Sequence, residues 1–180
     1  MSTQAVSKWA IDANHSEIGF KVKHLMISNV AGKFEKFDGS VESVGDDFTD
    51  AKISFTAEVA SVNTGQPQRD GHLQSPDFFD AAKFPHIKFT STKLEKVNSE
   101  KYVLTGDLAM HGITKTIKLD VTFSGVAKDS YNNTKAGFEI SGKINRTDFG
   151  LTFNAPLETG GVVLGEEVKL QIEGQLIKQA

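Results

Sequence analysis

Residues 52–59 read Lys-Ile-Ser-Phe-Thr-Ala-Glu-Val. Ile53, Phe55, Ala57 and Val59 fall on one phase and Lys52, Ser54, Thr56 and Glu58 on the other, a period of two that an extended strand produces and a helix does not. One face of this strand meets an apolar interior and the other meets water. The same alternation returns at Glu17–His24, where Ile18, Phe20 and Val22 share a phase. It recurs at His86–Ser91, Tyr102–Met110, Thr116–Phe123, Ala136–Ile144 and Val168–Leu176. With Lys33–Val41 and a short run around Trp9 and Ile11, about eight strands are expected.

Turn residues separate these runs. Gly-Asp-Asp at 45–47, Asn98-Ser99-Glu100, His111-Gly112 and Tyr131-Asn132-Asn133 supply the residue types that tolerate positive φ in tight links. Short links between successive strands imply antiparallel neighbours. Alternation fits a sandwich or a closed barrel; long strands joined in sequence favour an eight-stranded antiparallel up-and-down barrel, with room for packed side chains or one slender ligand. The pattern lapses between 64 and 85. There Ser75-Pro76-Asp77 reads as a helix start, with an N-cap, a proline in the first turn and an acid, so a short helical insertion is expected around 68–83, buried through Phe78 and Phe79.

The chain has 180 residues, enough for one domain with a sizeable core, and no linker divides 1–180. With 20 Lys+Arg against 23 Asp+Glu it lacks the basic footprint of a nucleic-acid binder. Zero cysteines exclude disulfides and thiolate-bound zinc. No run is long enough for a membrane helix, so stable membrane insertion is not expected. The stretch from Met1 to Trp9 has no secretory pattern, which points to the cytoplasm, or to the periplasm if a signal was trimmed. Phenylalanine dominates the aromatics, 13 against 2 Tyr and 1 Trp, which favours a dry interior over a recognition surface.

Polar residues in phase with an apolar face are the candidate functional groups. His24 follows Ile18, Phe20 and Val22 in register. Arg146 and Asp148 follow Phe138, Ile140, Gly142 and Ile144, so both are expected to point inward and to pair with each other or with the insertion. The insertion offers Arg69, Asp70, His72, Asp77 and Asp80. Such groups either pin a helix to a barrel rim or orient a ligand head group. The five histidines show no metal or hydrolase spacing, and Gly160-Gly161 forms no dinucleotide loop.

Several motifs together resemble the YceI-like family of lipocalin-like, polyisoprenoid-binding proteins. They are Trp9-x-Ile11-Asp12-x-x-His15-Ser16, Gly32-x-Phe34-x-x-Phe37-x-Gly39, Arg69-Asp70-x-His72-Leu73-x-Ser75-x-Asp77-Phe78-Phe79-Asp80, His111-Gly112-x-Thr114 and Arg146-x-Asp148-Phe149-Gly150. Ala13 and Ala109 depart from residues common in the family. The resemblance implies a barrel enclosing an isoprenoid or similar amphiphile, without catalysis and without a cofactor beyond that lipid. The expected tunnel lining is Phe20, Val22, Phe37, Phe55, Phe89, Ile117, Phe138 and Leu170. The expected mouth is His24, Arg69, His72, Phe78, Phe79, Arg146 and Asp148. A homodimer is one assembly the exposed strand faces allow. Two other readings stand beside storage or transport: an enzyme using His24, His72, Asp70 and Arg146 on an amphiphilic substrate, and a filled barrel that only docks partners.

Overall fold

In a computed structural model, residues 6–25, 27–44, 47–154 and 163–179 are described. Gly45 and Asp46 of one expected turn, the first five residues and Gly160-Gly161 lie outside them. The strands are β1 (Val6–Ile11), β2 (Glu17–His24), β3 (Ser28–Phe34), β4 (Phe37–Val44), β5 (Asp47–Glu58), β6 (Val62–Asn63), β7 (His86–Lys96), β8 (Lys101–Met110), β9 (Ile113–Lys128), β10 (Thr134–Asn145) and β11 (Leu164–Lys178). All belong to one antiparallel sheet in the order β1-β4-β5-β7-β8-β9-β10-β11-β2-β3-β6, and β1 also pairs with β11.

Register reduces these segments to eight staves. β1 and β2 run along the same partner, Ile11 facing Leu176 and Glu17 facing Glu173, so they are one stave broken by a 3-10 turn at Ala13–His15. β3 and β4 pair with β2 and β1 respectively and form a second, kinked at Glu35-Lys36. β5 and β6 form a third, kinked by the 3-10 turn Val59–Ser61. With β7 to β11 the count is eight, and β1 against β11 closes the barrel. The expected strand at Lys33–Val41 is thus two strands meeting at a corner, a feature that side-chain alternation does not encode.

Local chemistry fixes the bends and turns. In the first kink the Asp12 carboxylate accepts the Asn14 N–H at 3.2 Å, lies 2.7 Å from His15 Nδ1 and accepts from Lys135 Nζ at 2.8 Å. The Lys135 ammonium and the His15 ring hold the Asp12 carboxyl below its ordinary range against the opposing effect of burial. His111 and Gly112, at φ 56° and 75°, make the two-residue link between β8 and β9, where both positions require positive φ.

The insertion differs from the expectation. The helix α1 runs over Pro67–Gln74, opened by Pro67 in its first turn. Ser75 ends it: its N–H and hydroxyl both donate to the His72 carbonyl. Pro76 has no N–H to continue the ladder and holds Ser75 extended, so 75–84 folds as successive turns. Phe78 is nonetheless buried and Phe79 packs edge-on to Phe34, as the sequence indicated.

One end of the barrel is plugged. Trp9 is 1% exposed, its indole N–H donates to Ser43 Oγ at 3.0 Å, and its ring packs on Phe48, which packs on Phe123, which meets Tyr102 edge-on. β4 ends and β5 begins at this end, and the chain reverses there at 96–101 and 128–134. The other end gathers the end of β2 with the start of β3, α1 with the turns after it, the His111-Gly112 link and residues 146–154.

Candidate functional site

Alternation along each stave puts an apolar face inside the barrel, and the phenyl rings on that face decide whether the interior is filled. Phe20 sits directly across from Gly32 and Phe138 across from Gly174. A Cβ on Gly32 would fall 2.5 Å from Phe20 Cζ, and one on Gly174 would fall 2.7 Å from Phe138 Cζ. Phe89 lies over Gly106 in the same way, 2.4 Å from the position a Cβ would take. Each ring thus lies flat against the wall in the gap left by a missing side chain, and the barrel axis stays open.

The result is a cavity of about 510 Å³ with an almost wholly apolar lining. Phe20, Phe55, Ile117, Phe138, Ile140 and Leu170 point inward yet are only half-buried, because they border a void. That volume lies within the range of small-molecule sites.

Most of the residues singled out from the sequence line this cavity. From the wall these are Phe20, Val22, Phe55, Phe89, Ile117, Phe138 and Leu170; from the mouth they are His24, Arg69, His72, Phe78, Phe79 and Arg146. Two do not. Phe37 shares the phase of Gly39 and Val41 but does not reach the cavity, its ring lying 6.2 Å from that of Phe55. Asp148 is exposed: β10 ends at Asn145, and the 3-10 turn Arg146–Phe149 breaks the register from which an inward carboxylate was expected. The expected Arg146–Asp148 pair is therefore absent. Ile53, Ile140, Val168, Ile172 and Phe153 also line the cavity but were not in the expected lining; the first four lie on strand faces whose alternation already points inward, whereas Phe153 follows the last turn and carries no such signal.

At the mouth, Arg146 is 4% exposed. Its Nε donates to the Gly165 carbonyl at 2.8 Å, and its Nη1 donates to the carbonyls of Leu151 at 2.6 Å and Phe153 at 2.9 Å. Burial pulls its pKa below the ordinary arginine value, but a guanidinium keeps its proton in proteins. The Phe153 ring meets His72 and Phe78, all three centroids 5.0 Å apart, so Arg146 and α1 share one wall of the opening. His72 Nε2 lies 2.9 Å from Asp77 Oδ2. Arg69, three residues before His72 on α1, donates from Nε to Thr64 Oγ1 and from Nη2 to the Thr64 carbonyl, both at 2.7 Å. Asp70 accepts from Thr64 N–H and Oγ1, which ties the helix start to the strand before it. His24 faces Leu164 across the β2–β11 pair, next to the Gly165 carbonyl that holds Arg146. No cluster of three metal-ligating side chains occurs among the described residues.

A closed antiparallel barrel with a hollow apolar interior and a polar mouth defines a lipocalin-like architecture. The YceI-like domain model matches residues 9–176, and the chain belongs to that family. It is 39% identical over 171 residues to a UPF0312 protein of Staphylococcus aureus, covering 94% of this chain and 97% of the relative. The crystal structure of the Campylobacter jejuni YceI protein is 37% identical, with a TM-score of 0.77 over 88% of this chain and 90% of that one. A polyisoprenoid binding domain from Saccharophagus degradans shares the fold at 16% identity, with a TM-score of 0.71 over 98% of this chain and 100% of that one.

Proposed function

We propose that this protein binds a long-chain amphiphile of the isoprenoid type, holding the tail inside the barrel for storage or transport and performing no catalysis on it. The observation that carries this reading is the open lumen kept by phenyl rings lying over glycines. The polyisoprenoid binding described for the Saccharophagus degradans domain supports the tail class.

The volume sets the tail length. At roughly 30 Å³ per water-sized group, about 510 Å³ takes about 17 methylene-sized units. At about 0.8 kcal/mol each, their burial supplies roughly 14 kcal/mol before the costs of association. A tail of about 15 to 20 carbons can therefore be held by its burial alone.

Solvent extraction of the purified protein followed by mass spectrometry tests the reading, together with titration of the delipidated protein with geranylgeraniol. Recovery of an amphiphile and saturable binding are expected. No extractable amphiphile and no binding would refute it. The His72–Asp77 contact favours a second reading, acid–base chemistry at the mouth. That reading requires His72→Ala to abolish turnover of an amphiphilic substrate while leaving lipid retention intact.

A further inference from the structure

The chain carries more acids than bases, 23 against 20, yet its cavity does not reflect that balance. Apart from Tyr102, the ionisable side chains lining it are His24, Arg69, His72 and Arg146, with no aspartate, glutamate or lysine among the described residues. Arg146 is the most constrained of them. It is almost fully buried, and its three hydrogen bonds all go to backbone carbonyls, which solvate a guanidinium without neutralising it. No described carboxylate forms an ion pair with it, and its Nη2 has no hydrogen-bond partner among the described residues. Glu166 acts on it from beyond ion-pair distance and offsets only part of the effect of burial; a desolvated cation so weakly compensated is costly in an apolar wall, and a bound anion relieves that cost.

We infer that the amphiphile's head is an anionic oxo group, a carboxylate or phosphate, seated at the mouth against Arg146 with Arg69 and His72 beside it. This rests on the tail-binding reading and deepens it: the tail supplies most of the affinity, and the buried guanidinium selects the head. Arg146 presents a planar fork suited to oxyanions, two of its three nitrogens fixed by carbonyls and the third left for the ligand. Arg69 is oriented by Thr64 through Nε and Nη2, which leaves Nη1 without a hydrogen-bond partner among the described residues. A neutral alcohol or quinone would leave the Arg146 charge offset only in part, by the more distant Glu166, so head groups on equal tails are discriminated by charge.

The test uses the full-length delipidated protein and two pairs of probes with matched tails: geranylgeranyl monophosphate against geranylgeraniol, and palmitic acid against hexadecanol. Each acid is expected to bind roughly tenfold or more tightly than its alcohol, the scale of one charge-assisted hydrogen bond. In Arg146→Gln that preference should fall to about twofold, with the alcohol's affinity retained. Should Arg146→Gln fail to fold, Arg69→Gln is expected to shrink the preference, and the wild-type comparison stands by itself. Equal binding of acid and alcohol by the wild type overturns the head-group assignment while leaving tail binding intact. Binding of neither overturns both. Inorganic phosphate that binds as tightly as the prenyl phosphate would assign the site to a free anion and also overturn the inference.

Discussion

Gly32→Ala should narrow the lumen without touching the lining chemistry. Gly32 lies on β3 opposite Phe20, and an added Cβ would sit 2.5 Å from Phe20 Cζ, 3.0 Å from Cε1 and 2.9 Å from Thr64 Cγ2. Carbon contacts settle at about 3.5 to 4.0 Å, so the ring tip must move by about 1 Å or more. Phe34, with its ring centroid 5.6 Å away, blocks sideways motion, and the ring swings toward the axis. Occupying the space of one or two methylenes removes roughly 0.8 to 1.6 kcal/mol of tail burial, a weakening of about 4- to 15-fold for a tail that fills the cavity. Shorter tails should be unaffected. The assay is a series of prenyl or alkyl acids of increasing length, titrated against wild type and variant with melting temperature measured in parallel. Stability should fall by about 1 to 3 kcal/mol as in other overpacked sites, and Phe20→Leu added to Gly32→Ala should restore long-tail binding. An unchanged length profile in a folded Gly32→Ala protein would refute the argument that flat rings define the cavity.

Other expectations follow from the same geometry. Trp9→Ala at the solid end should cost about 3 to 5 kcal/mol, whereas Phe138→Ala, whose ring borders the void, should cost less and change ligand retention; denaturant titration of both separates a plug from a lining. The Asp12 carboxyl is held below its ordinary 3.8, so its contribution to stability is complete above that value and is lost as pH falls through its folded pKa. Asp12→Asn should therefore flatten the acid limb of a stability–pH curve while lowering the plateau near neutrality. Gly112→Ala combines φ 75° with a Cβ placed 2.7 Å from Phe84 Cε1. It should destabilise the protein by about 1 to 3 kcal/mol in thermal melts.

The wall of this barrel was legible in the sequence because alternation reports which side chains face inward, and a two-residue link such as His111-Gly112 reports where the chain reverses. Phase alone directs His24 inward at the end of β2, and its side chain lines the cavity. The same logic failed at Asp148, because phase holds only while the strand continues and β10 stops at Asn145. It also failed at Ser75, where a proline that ends one helix looks like a proline that begins another. The corners at residues 13–15, 35–36 and 59–61 were illegible, since a corner need not disturb the apolar pattern. The hollow interior itself depends on which glycine lies across from which phenylalanine. That is a property of register between strands and is not visible along any one of them.

One seam in the wall has a kinetic meaning. β5 pairs with β7 as far as Glu58 and His86, and Val59 N–H reaches the Pro85 carbonyl at 2.9 Å. Above that point no ladder among the described residues joins β6 to β7, and α1 lies against β6, tied by the Arg69 and Gln74 side chains to the carbonyls of Thr64 and Ala60. A hatch held by side chains can lift while every rung below it stays made. On the amphiphile-binding reading proposed above, exchange at this hatch need not break the ladder, and a variant that hastens release there need not shorten the lifetime of the folded barrel.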